Sequence, residues 1–177
     1  AFLAAGTRFP QLALGGGSWP QLGSDGAWQA LLGERGVAVA PLAPSNCGFD
    51  VASNGKFGWS HHFQNKYAGQ PFKTVAIHMA NADSQPPGQG APHATGDAAF
   101  HRQGEFVATQ TGVEGSLIYA ASKLLRERIA AHGSATFHLD LLPQWDAAKV
   151  LREVSHPRGS RSLSSHLSSR LNLEGIK

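Results

Sequence analysis

The residues whose type and spacing bear most directly on chemistry are Gly15, Gly16, Gly17 and Ser18, in the run LALGGGSWPQLGSDGAW from Leu12 to Trp28. Glycines let a backbone come close to a ligand, and a helix starting after them favours an anion such as a pyrophosphate. The spacing is not that of the dinucleotide fingerprint. From Gly15 it reads Gly-x-Gly-x-x-Pro, and no acidic residue ends a second strand about twenty residues on. No Gly-Lys-Ser/Thr follows, which excludes a P-loop. Spacing alone favours a structural turn over a ligand loop and leaves both open.

The other reactive side chains form weaker patterns. There are nine histidines, yet His78, His93 and His101 lack ligand spacing, and the adjacent His61 and His62 would face opposite ways in a strand. Scattered surface histidine is the expectation, and no metal site is assigned. The single cysteine, Cys47, has no Lys, Arg or His beside it to lower its pKa, so it reads as buried and inert. Asp140 and Asp146 flank a turn, where Asp146 suits a helix cap. Arg158, Arg161 and Arg170 stand among serines with no aromatic residue to stack a base. No residue is assigned a catalytic role.

These groups must be positioned by elements that the hydrophobic pattern marks. LAL before Gly15 suits a short buried strand, and Ser24 or Asp25 is placed to cap a helix carrying Ala27, Trp28, Leu31 and Leu32, stopped by Gly36. Residues 36–44 offer an extended segment whose Pro41 and Pro44 argue against a central sheet position. Alternation predicts strands over 70–79, with Val75, Ile77 and Met79 on one side, over 104–112, and over 135–143 with Phe137, Leu139 and Leu141 inward. The Pro/Gly/Gln/Asn stretch 81–97 reads as an exposed loop. The clearest helix runs from Ser116, with Leu117, Ile118, Ala121, Leu124, Leu125 and Ile129 as its stripe and Gly133 as its stop. Two short helices, about 146–154 and 160–171, close the chain. This order argues for an α+β fold, and the alternating strands suit a small β-barrel.

The bulk composition sets the outer limits. The 177 residues suit one domain, or one with a small subdomain. No apolar run is long enough to span a bilayer, and one cysteine fits a reducing, cytoplasmic setting. The opening AFLAAGTRF lacks an initiating Met and reads as a cut through a longer chain. Residues 1–120 hold six Lys/Arg against seven Asp/Glu, whereas 121–177 hold nine against five. A basic C-terminal third permits an anionic partner without requiring one.

Three stretches in order, LALGGGSWPQLGSDGAW, PLAPSNCGFDV and GEFVATQTGVEGSLIYAAS, resemble the middle of BaiN-like, or aminoacetone-oxidase-family, NAD(P)/FAD-dependent oxidoreductases. The resemblance implies an internal piece of a flavoprotein. Residues 1–36 would be the tail of the FAD-binding domain, 37–143 an inserted β-barrel-like domain with one long helix, and 144–177 the start of a helical subdomain. It implies FAD as cofactor, with Gly15, Gly16, Gly17 and Ser18 as one edge of its site, and NAD(P)H as a possible electron donor acting on a small-molecule substrate. The more widespread family form has Thr-His-x-Gly where this chain has Thr109-Gln110-Thr111-Gly112, so no role of that histidine transfers. The alternative class is a non-catalytic binding module whose basic helical C-terminus engages RNA or another anionic partner.

Overall fold

The computed structural model describes residues 14–53, 55–80 and 98–177. The chain divides into two compact units, Ala1–Ala43 and Pro44–Lys177. The stretch 81–97 lies outside the described residues, as do Leu12 and Ala13 of the expected first strand.

In the first unit Leu14 belongs to no strand. Trp19 and Ser24 instead exchange backbone hydrogen bonds of 2.9 and 3.1 Å around a 3-10 turn at Pro20–Leu22. Pro20 suits the start of that turn because its missing N–H would have had no partner there. Gly23 closes it with φ 79°, a left-handed conformation that glycine adopts without a Cβ clash. Helix α1 then spans Trp28–Gly33. Neither Ser24 nor Asp25 is its cap. The backbone of Ser24 is committed to Trp19, and the Asp25 carboxylate accepts from the Ala27 amide at 3.0 Å, two residues on, before the helix begins.

The second unit is a mixed α+β structure. Its strands are β1 (Phe49–Asp50), β2 (Ala52–Ser53), β3 (Lys56–Phe57), β4 (Pro71–Ala80), β5 (Ala98–Ala108), β6 (Gly112–Glu114) and β7 (His138–Asp140). Its helices are α2 (His61–Tyr67), α3 (Ser116–His132), α4 (Ala147–Val154) and α5 (Leu163–Leu171). The main sheet has five strands in the order β1-β6-β5-β4-β7, every neighbouring pair antiparallel. β2 and β3 form a separate small hairpin.

The core forms where β4, β5 and β6 meet α3. Val75, Ile77 and Met79 have no exposed surface, as the alternation predicts, and they cluster with Phe106, Leu117, Ile118 and Leu125. Phe72 joins the same cluster only because the register shifts by one residue between Phe72 and Val75, where Thr74 takes a positive φ of 52°. Such a bulge lets both ends of β4 face the core. Phe72 then stacks on Phe106 with ring centroids 4.8 Å apart.

Three boundaries differ from the pattern. The expected strand 104–112 reverses at Thr109–Thr111, so Val107 and Ala108 pair with Glu114 and Val113 across a hairpin. The strand expected over 135–143 pairs only at His138–Asp140, because the Asp140 carboxylate accepts from the Leu142 amide at 2.8 Å and turns the chain. The buried stripe of α3 ends at Leu125; Ile129 is 37% exposed, and Ser122 is buried with its hydroxyl donating to the Tyr119 carbonyl. Elsewhere local chemistry holds. α3 stops at Gly133 (φ 77°), and the Asp146 and Ser162 side chains cap α4 and α5 by accepting from Lys149 and Ser165 amides.

Candidate functional site

Two segments carry the glycines that the sequence singles out, one in each unit. In the first unit Leu14–Pro20 is exposed throughout. The Gly16 carbonyl accepts from the Gly26 amide at 3.1 Å, and no amide from Gly15 to Ser18 donates to another group among the described residues. Four successive amides at this exposed turn therefore have no acceptor among the described residues.

The three glycines are small for different reasons. Gly15 has φ 83° and open space where a Cβ would stand. A Cβ on Gly16 would come 2.8 Å from the Ser24 hydroxyl, and one on Gly17 would come 2.4 Å from Leu42 Cδ1 and 3.4 Å from the Gly26 Cα. At Gly16 and Gly17 the close atoms are side-chain ends, the Ser24 hydroxyl and a methyl of the exposed Leu42, which can turn away, whereas at Gly15 the backbone conformation itself calls for glycine.

In the second unit the Thr-x-x-Gly-x-x-Gly run builds the β5–β6 turn and the start of α3. The Thr109 hydroxyl accepts from the Gly112 amide at 2.9 Å, and the Thr109 amide donates to the Gly112 carbonyl at 2.8 Å. Gly112 pairs with Asp50 of β1, and a Cβ there would lie 1.9 Å from the Phe49 carbonyl oxygen. Gly115 precedes the helix at φ 113°, and a Cβ there would come 3.3 Å from the Phe106 Cα. Around the turn, the Thr111 hydroxyl donates to the Asp50 carboxylate and the Trp59 indole N–H donates to the Gly112 carbonyl at 3.1 Å. Gln110 is exposed at the tip. The structure gives Gly112 and Gly115 a packing reason.

Reading the sequence missed α2, its aromatic contacts and a histidine row. Ser60 caps α2 by accepting from Phe63 N, and Trp59, Phe63 and Tyr67 contact one another in turn with centroids 4.5 and 5.1 Å apart. The i, i+4, i+8 spacing of those three aromatics was the available signal. The histidines are not all scattered. His78 stands opposite His101 on β5 and His138 on β7, and the His78 and His101 rings stack at 4.1 Å. Among the described residues no group of three or more His, Cys, Asp or Glu is placed to hold a metal ion, and His93 lies outside them. Cys47 is half-buried rather than buried. No described helix is long and apolar enough to cross a membrane.

The comparison that bears on this geometry is a family model, the HI0933-like protein barrel and H2TH domain, which matches residues 43–177. The chain belongs to this family. The HI0933-like match takes in the five-stranded sheet, α3 and the α4–α5 pair, and it begins beside the boundary between the two units. HI0933-like proteins are a family of flavoprotein-associated oxidoreductases. The turn at Gly15–Ser18 lies outside the matched range. No curated protein matches the chain in sequence.

Proposed function

We propose that this chain is part of an FAD-dependent oxidoreductase of the BaiN-like, aminoacetone-oxidase type, with NAD(P)H as its electron donor. In this reading residues 1–36 end the FAD-binding domain, 37–143 are the inserted domain, and 144–177 begin its helical part. The observation that carries it is the HI0933-like match over residues 43–177. The exposed turn with undonated amides at Gly15–Ser18 supports it.

Bound flavin would supply the hydride chemistry, which is the cofactor's own. The chain's part is to bind. The amides of Gly15, Gly16, Gly17 and Ser18 would donate to nucleotide phosphate oxygens, and the open side of Gly15 leaves room for the ligand to come against backbone. No side chain is assigned to a proton transfer.

The test must separate a ligand contact from the internal contacts of the turn. In the full-length enzyme, Ser24→Ala removes the hydroxyl that a Gly16 Cβ would meet. Adding Gly16→Ala in that background should lower flavin absorbance per chain while circular dichroism of the same sample stays unchanged. Full flavin occupancy in the double variant would remove Gly16 from the cofactor site and leave the turn purely structural.

A further inference from the structure

Strand β5 is the long strand that the sheet covers least. β6 pairs with it only at Val107 and Ala108, so Ala98–Phe106 has β4 on one side and no strand on the other among the described residues. One contact gives the direction of its free backbone groups. The Ser116 hydroxyl donates to the Glu105 carbonyl at 3.5 Å, and Ser116 follows β6, so that carbonyl points to the uncovered side. Along a strand the amide and carbonyl of every second residue point the same way, which puts those of Gln103, His101 and Ala99 on that side too. Ser116 closes the edge at Glu105. The open length is therefore Ala98–Gly104, longer than the five or six residues of a typical strand, and His101, Arg102 and Gln103 within it are exposed.

An open edge accepts an extended backbone, and the side chains along it decide which one. Exposed edges are usually blunted by proline, by a bulge or by charge. This length has no proline, and its pairing with β4 runs from Phe100 to Gly104 without a register shift. Its one charged side chain is Arg102. Paired antiparallel with a second copy of itself, the length centres on His101, the only two-fold register that uses all of it. Arg102 of each copy then stands opposite Phe100 of the other, and a guanidinium against an aromatic ring is an attractive cross-strand pair. Centring on Arg102 would set two guanidiniums face to face. Centring on Gln103 would drive the incoming strand into Ser116, and centring on Phe100 would shorten the ladder.

We propose that the open edge of β5 docks a second copy of this chain, the two strands pairing antiparallel across a two-fold axis at His101 and joining two sheets into one. The backbone bonds come from Ala99, His101 and Gln103 of each copy, and the Arg102–Phe100 pairs fix the register. A two-fold consumes both open edges, so the assembly stops at two copies.

Sedimentation velocity of the 177-residue chain, run from about 1 to 300 μM, reads the assembly, and a monomer–dimer equilibrium is expected. Gln103→Pro removes an amide on the open side and none from the ladder with β4, so it should weaken the dimer about tenfold or more with unchanged circular dichroism. Gln103→Ala keeps the amide and should stay within about threefold of the parent. Arg102→Ala removes the guanidinium–ring pair once per copy and should weaken the dimer about fivefold or more. Arg102 is exposed, so this variant decides the matter even where proline disturbs the strand. A monomer at every concentration, open-ended larger assemblies, a dimer that persists in folded Gln103→Pro, or one untouched by Arg102→Ala would each overturn the proposal. Hydrogen exchange of the full-length enzyme tests the other occupant. A monomer there, with the His101 and Gln103 amides protected, would give the edge to another strand of the same chain and also overturn it. None of these readouts depends on bound flavin.

Discussion

Replacing Gly112 with alanine tests whether the β5–β6 turn is built around close approach of β1. A Cβ at this position would lie 1.9 Å from the Phe49 carbonyl oxygen and 2.7 Å from both the Phe49 carbonyl carbon and the Asp50 Cα. These are backbone atoms of a paired strand, so no side-chain rotation relieves the overlap, and β1 must move away from β6. The movement puts at risk the Phe49–Val113 and Asp50–Gly112 pairing, the 3.1 Å bond from the Val51 amide to the Thr111 carbonyl and the Thr111–Asp50 side-chain bond. With a net worth of about 0.5–1.5 kcal/mol per hydrogen bond, losing two or three of them costs roughly 1–4 kcal/mol. Urea unfolding followed by tryptophan fluorescence measures this as a lower midpoint with an unchanged slope. Gly104→Ala is the matched control, because its Cβ would meet the Leu117 side chain at 3.5–3.7 Å, an ordinary contact distance. It should change stability by less than about 1 kcal/mol, the scale of a glycine-to-alanine entropy effect. If Gly112→Ala were as mild as Gly104→Ala, the close approach of β1 would not be the reason for glycine at 112.

Leu125→Ala, at a side chain 3% exposed within the α3 core cluster, should cost about 2–5 kcal/mol in the same unfolding measurement; a change near zero would mean that α3 does not depend on the sheet. Asp146→Ala should cost about 1 kcal/mol by removing the α4 cap, and Asp146→Ser should recover most of it, so equal losses in both would point away from capping. Thr74→Gly should stabilise the chain slightly by relieving a positive φ of 52°, and a clear loss of stability would show that the threonine side chain matters more than the strain.

The fold was legible where one local device decides the outcome. The α3 stripe from Leu117 to Leu125 ends at Gly133, and Asp146 caps α4, so the stop and the cap are each a single residue acting within one turn. What was not legible depends on partners distant in sequence. The reversal at Thr109–Thr111 interrupts a run that alternates well enough to continue as one strand, and the bulge at Thr74 serves packing against Phe106. The first-unit turn was misread because Ser24 has the right chemistry for a cap but its backbone is held by Trp19. At the candidate site the glycines themselves were visible in the sequence. What surrounds each was not, because the left-handed turn at Gly15 and the Ser24 and Leu42 side chains beside Gly16 and Gly17 come from how the chain folds back on itself.

The two ends of the main sheet bear on solubility during synthesis. A sheet edge offers unpaired amides and carbonyls on which another chain can add a strand, the usual route to aggregation and fibril growth. Here the end strands are β1, with two residues, and β7, with three, and the long strands β4 and β5 are covered on their second sides only at Ala76–His78 by β7 and at Val107–Ala108 by β6. An incoming strand would gain only a few ladder bonds on β1 or β7, fewer than the five or six residues of a typical strand, whereas the remainder of β5 pairs with no second strand among the described residues. Within β4 only Ala76–His78 is paired on both sides, by β5 and β7, and so withdrawn from intermolecular pairing. Strand addition should therefore favour the uncovered lengths of β4 and β5 over the short end strands.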